Sequence, residues 1–125
     1  LIKPKNASYN IKKIINFFQS QGQYSFITTL KKMGYSSKCY LGFSEPGYTL
    51  TFDIPNNKKL ELFYKNLEIK LLKIKAKTYL TKDSLMSEIY FKKTYRNCNK
   101  FINYKKYIDP KSKFVSYQSL RLGIR

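Results

Sequence analysis

The chain has 125 residues, 42% of them hydrophobic and 17% aromatic, which suits one domain with a buried core and excludes a disordered segment. Its longest apolar runs, such as Ile14-Ile15-Asn16-Phe17-Phe18, fall far short of a bilayer span, and no secretory signal is visible. The net charge of +18 invites a nucleic-acid partner, yet only three of the 25 basic residues are Arg and the lysines are spread over every segment.

Asn6 to Gln21 reads as a helix, because Ile11, Ile14, Ile15 and Phe18 recur at three- and four-residue steps. Asn6 or Ser8 can cap it, and Gly22 stands where a left-handed terminator belongs. Tyr24 to Met33 has strand character, with Phe26, Thr28 and Leu30 on one face and Thr29 and Lys31 on the other. Lys31 projects either toward a ligand or from a wet edge. Tyr35 to Cys39 is a polar connection, and Ser44-Glu45-Pro46-Gly47 is a turn. The cleanest alternation follows in Tyr48 to Ile54: Tyr48, Leu50, Phe52 and Ile54 face one way, Thr49, Thr51 and Asp53 the other. That hydroxyl-lined face meets water or a ligand.

Asn56 or Asn57 can cap a longer helix that runs to about Lys75, with Leu60, Phe63, Tyr64, Leu67, Leu71 and Ile74 on its buried stripe. Thr78-Tyr79-Leu80-Thr81 is β-branched or aromatic enough for a short strand, ended by a Lys82-Asp83-Ser84 corner where Asp83 or Ser84 can cap the next helix. Lys82 is then either a cation fixed between strand and helix or a solvated charge. Ser84 to Thr94 and Asn97 to Tyr107 read as helices, Phe114 to Tyr117 as an extended return to the body, and Leu120 to Ile124 as a docking tail. The order of elements predicts an α+β fold: a mostly antiparallel sheet packed against helices, then a helical carboxyl-terminal segment. Cys39 and Cys98 suit core thiols. With no His, no Gly-rich phosphate loop and no paired carboxylates, no metal set and none of the usual hydrolytic arrangements is expected.

Five stretches stand in a suggestive order: Gln19 to Gly34, Pro46 to Pro55, Tyr79 to Ser84, Asp109 to Phe114 and Arg121 to Ile124. Together they resemble the carboxyl-terminal part of FAD-linked oxidases of the vanillyl-alcohol-oxidase superfamily. The nearest branch is that of the decaprenylphosphoryl-ribose 2′-oxidases, with sugar-lactone oxidases more distant. The resemblance implies that residues 1–75 end a substrate domain and that 76–125 return to an FAD domain. The amino-terminal FAD-binding half would lie outside this chain, in keeping with a start at Leu1 in mid-pattern. It further implies FAD as cofactor, with Lys82 catalytic and beside the flavin, Tyr79 at the flavin-facing cavity, and Lys31, Thr49 and Thr51 toward substrate. A sugar or polyprenyl-phosphate sugar substrate is implied too, and a cytoplasmic place peripheral to the inner membrane. This chain departs from the family pattern at Lys75-Ala76, where paired glycines are expected, at Arg96, at Tyr117 and at Leu85. Two other readings compete: a small basic nucleic-acid-binding module and a non-catalytic interaction domain.

Overall fold

A computed structural model describes residues 1–125. The apolar spacing read from the sequence becomes α1 (Ala7–Ser20) and α2 (Leu60–Lys73), and the alternating stretches become β1 (Thr28–Met33) and β2 (Gly47–Phe52). Beyond them lie a 3₁₀ turn at Leu80–Lys82, then α3 (Glu88–Thr94), α4 (Cys98–Ile108) and α5 (Tyr117–Arg121). The class is α+β.

β1 and β2 pair antiparallel, with Lys31 opposite Thr49 and Thr29 opposite Thr51. Cross-strand partners share a face. The apolar face of β2 packs on the helices: Phe18 stacks on Phe52 at 4.0 Å between ring centroids and meets Phe63 edge-on at 4.9 Å. Such pairs add about 1 kcal/mol each beyond the area they bury. The first core cluster therefore joins α1, α2 and the sheet through Ile14, Phe17, Phe18, Phe63 and Leu67. A second cluster gathers Met86, Tyr90, Phe91, Tyr95, Cys98, Leu122 and Ile124, with Tyr64 and Leu71 touching both.

The amino-terminal dipeptide lies between β2 and the chain after α2. Ile2 exchanges backbone hydrogen bonds with Tyr48, at 2.7 and 2.8 Å, and Leu1 exchanges them with Lys77. Gly47 is needed beside it, because a Cβ there would collide with the Ile2 carbonyl.

Several expectations are corrected. Strand pairing starts only at Thr28, since the Ser25 hydroxyl donates to the Ile27 carbonyl and accepts from the Asp53 N–H, which takes these groups out of any ladder. Thr78 to Thr81 is not a strand; it runs into the 3₁₀ turn, for reasons given below. Neither Asp83 nor Ser84 caps α3. Ser87 does, accepting from the Tyr90 N–H. Asn6 precedes α1 in a left-handed conformation without a side-chain cap, and Asn57 accepts from Lys59 N–H ahead of α2. Phe114, Val115 and Tyr117 stay exposed instead of returning to the body, whereas Leu122 and Ile124 are buried as the docking tail requires. Cys98 is a core thiol; Cys39 is exposed, and neither is in a disulfide.

Helix α2 does end in a left-handed residue, although no glycine is available. Lys75 takes it, at φ 54°. Its N–H bonds the Leu72 carbonyl and the Ala76 N–H bonds that of Leu71, the paired bonds of a Schellman terminus. A Cβ in this region costs about 1 kcal/mol. Lys75→Gly should therefore raise stability by about 1 kcal/mol, read as a higher urea midpoint at unchanged slope.

Candidate functional site

The segment after α2 is held by side chains, not by a sheet. The Tyr90 hydroxyl donates to the Ala76 carbonyl at 2.8 Å, and the Tyr95 hydroxyl donates to that of Thr78 at 2.7 Å. Burial pushes the Tyr90 phenol up to about 12 and raises that of Tyr95 as well, so both remain neutral donors at any ordinary pH. The Leu80 carbonyl is taken by the Gln118 amide at 2.6 Å. With these carbonyls held by side chains, residues 78–81 form no ladder, and the chain turns at Leu80–Lys82.

Asp83 ends the turn. One carboxylate oxygen accepts from the N–H groups of Leu85 and Met86, at 3.1 and 2.8 Å, and from the Tyr64 hydroxyl at 3.4 Å. The other accepts from the Arg121 guanidinium at 2.9 Å. Glu68, buried on α2, fixes the next step of chain by accepting from both the N–H and the hydroxyl of Ser87 at 2.7 Å.

These constraints shape an open cleft of about 970 Å³. Lys31, Thr49 and Thr51 line it from the sheet, alongside Leu50 and Phe52 of the apolar face, and Thr78, Tyr79, Lys82 and Asp83 line it from the segment after α2. Buried core residues, Phe18, Phe63 and Leu67 among them, reach its depth. All five candidate residues, Lys31, Thr49, Thr51, Tyr79 and Lys82, therefore border one space. Thr49 and Thr51 are half-buried, whereas Lys31 and Lys82 are exposed. Of the charges around the cleft, Lys77 is paired with Glu45 and Asp83 with Arg121. Lys31 and Lys82 enter no ion pair. The arrangement offers two threonine hydroxyls, an apolar depth and two uncommitted ammonium groups, with the unpaired Asp53 carboxylate also on the lining. It suits a partly apolar ligand that carries or develops negative charge.

Sequence reasoning missed three contributors. Phe43 packs on Tyr79 with tilted rings at 4.7 Å between centroids and stands in the same cleft wall, a contact across a loop that no periodicity announces. Arg121 and Gln118 reach the turn from 38 residues away. Their only signal was the tail motif that ends in Arg121-Leu122-Gly123-Ile124.

The chain is similar over nearly its whole length to part of an oxidase. The relative is the decaprenylphosphoryl-beta-D-ribose oxidase of Mycolicibacterium smegmatis, 29% identical over 123 residues, which cover 98% of this chain and 27% of that protein. The chain thus spans about a quarter of the length of this relative. No protein-family model matches it.

Lys77 secures the far wall. Its ammonium lies 2.6 Å from Glu45 and 3.2 Å from the Gly42 carbonyl, and sits over the Tyr95 ring. The loop that carries Phe43 is tied down this way. Burial alone would raise the Glu45 carboxyl, but its hydrogen bond and charge attraction to Lys77 hold it below the usual carboxylate range. A carboxylate depressed on folding contributes stability above its unfolded value, about 4.3, and that contribution is lost as pH falls through the folded value. Lys77→Met should accordingly destabilise the chain at pH 7. It should also flatten the fall of the urea midpoint between about pH 5 and pH 3 relative to the parent. An acid limb identical in both proteins would show that this pair does not couple.

Proposed function

We propose that this chain is the carboxyl-terminal portion of an FAD-dependent oxidoreductase that oxidises a secondary alcohol of a sugar or polyprenyl-phosphate sugar. The observation that carries the reading is the meeting of Lys31, Thr49, Thr51, Tyr79 and Lys82 on one cleft, from stretches far apart in sequence. The similarity to part of a decaprenylphosphoryl-beta-D-ribose oxidase supports it from a separate direction. On this reading residues 1–75 close a substrate domain, residues 76–125 return to an FAD domain, and the FAD-binding half is the partner on the amino-terminal side.

The residues present fit one edge of a flavin. An uncommitted ammonium, Lys82, stands at the cleft rim with an aromatic pair beside it. FAD, when bound, accepts a hydride at N5 and gathers negative charge on its N1–C2=O side. Lys82 favours that charge: a unit cation about 4 Å away is worth up to roughly 4 kcal/mol at intermediate dielectric. Tyr79 would flank the ring. Thr49 and Thr51 orient the sugar by hydrogen bonding, and Lys31 meets its more polar or phosphorylated end. We place the enzyme in the cytoplasm, at the surface of the inner membrane that a polyprenyl substrate would occupy, and expect no nucleic-acid partner.

The test uses the longer protein that contains this chain, loaded with FAD. Lys82→Ala should slow bleaching of the flavin by a candidate sugar about 100-fold, the usual cost of removing one group that stabilises developing charge. Flavin content should stay that of the parent. Reduction at the parental rate would overturn the reading.

A further inference from the structure

We infer that α5 is a clasp that holds Lys82 in place, with Arg121 and Gln118 acting as positioning residues for it; this rests on the function proposed above for Lys82. The clasp takes the turn at both ends. Gln118 donates to the carbonyl of Leu80, the first residue of the turn, and more weakly to that of Asp83. Arg121 donates one nitrogen to the Asp83 carboxylate and the other to the Met86 carbonyl. These two residues are three apart on one short helix, so they face the turn together. Lys82 lies between the two anchored residues and is itself bonded only through its backbone N–H to the Tyr79 carbonyl.

The clasp is rigid in its own right. Ser116 and Ser119 form a reciprocal capping box at the start of α5. Leu122 and Ile124, immediately beyond it, are buried against the second core cluster. A five-residue helix would not persist alone. Here its beginning is capped and its end is driven into the core. The guanidinium matters as a fork: it meets a carboxylate and a carbonyl at once, which a lysine ammonium on a flexible stem cannot reproduce. The Asp83 side chain is fully buried while that of Arg121 is 27% exposed, so the pair desolvates the carboxylate more than its partner. Removing Arg121 leaves a buried carboxylate with only neutral donors, and the turn then loses its fixed end.

A positioning role and a purely structural one differ in how they combine with Lys82→Ala. In the FAD-loaded longer protein, Arg121→Ala and Gln118→Ala should each slow flavin reduction by a candidate sugar roughly 10- to 100-fold, the scale of an approximately 1 Å displacement. Arg121→Lys should recover part of the loss. The double variant Lys82→Ala with Arg121→Ala should be no slower than Lys82→Ala alone, because Arg121 acts only through Lys82. Hydrogen exchange on this chain supplies the readout that needs no flavin: Arg121→Ala should release the Leu85 and Met86 amides that Asp83 protects, with the α1 amides unchanged. Losses that add in the double variant, or unchanged protection at Leu85 and Met86, would overturn the clasp. A Lys82→Ala protein that reduces its flavin normally would instead overturn the function on which the clasp rests. Should Arg121→Ala fail to fold, Gln118→Ala carries the same comparison, because it leaves the buried pair intact.

Discussion

A carboxylate with no exposed surface is the constraint on which the cleft depends. Asp83 has to be satisfied where it stands, since an isolated buried charge is far costlier than any contact it could replace. It takes two backbone N–H groups from the residues that follow it, a phenol from α2 and a guanidinium from α5. Those donors come from three separate parts of the chain. Satisfying one side chain thus fixes where α2, the turn and the tail meet. The neighbour of that side chain, Lys82, inherits a fixed backbone without contributing to the pairing.

The sheet supplies the opposite wall by simpler means. Alternation along β2 commits its apolar side to a stack of phenylalanines, and the pleat then leaves Thr49 and Thr51 no direction but the other. The register sets Lys31 beside Thr49 without further help. A slip of one residue would turn Thr49 and Thr51 toward the helices in place of Tyr48, Leu50 and Phe52, so the aromatic packing that stabilises the fold also fixes the register of the strand. One wall is specified by periodicity and the other by long-range polar contacts.

That difference explains what could be read from the sequence. The long helices, the α+β order and the polar face of the sheet were all legible, because each repeats a local pattern at 3.6 or 2 residues. The turn at Leu80–Lys82 was not. Thr78 to Thr81 has the side chains of a strand, but its fate is decided by Tyr90 and Tyr95, which claim the carbonyls of Ala76 and Thr78 from 14 and 17 residues away. Gln118 claims the Leu80 carbonyl from 38 residues away. No window short enough to show periodicity contains those partners. The start of β1 was missed for a related reason, one serine hydroxyl serving two backbone groups at Ser25. The end of α2 shows the converse, a left-handed terminus formed against propensity because two carbonyls at the helix end needed donors more than Lys75 needed a relaxed backbone.

In a chain so rich in lysine, no single ammonium is distinguished by type. Lys77, Lys92 and Lys105 sit within about 3 Å of a carboxylate and are thereby accounted for, the first by holding the loop of Phe43 and the other two by supporting their own helices. Lys82 differs in the opposite sense: the chain on either side of it is anchored at Leu80 and Asp83, and its side chain is uncommitted. A lysine on a flexible loop loses several kcal/mol of backbone and rotamer freedom when it engages a ligand, at roughly 1 to 2 kcal/mol per residue ordered. Where folding has already ordered the backbone, binding loses only the rotamers. The buried pair beneath the turn, the phenols behind it and the helix across it all remove that freedom before any ligand arrives. A cation intended to act electrostatically at a distance of a few ångströms gains most from such preorganisation, because its effect falls with every movement away from the developing charge.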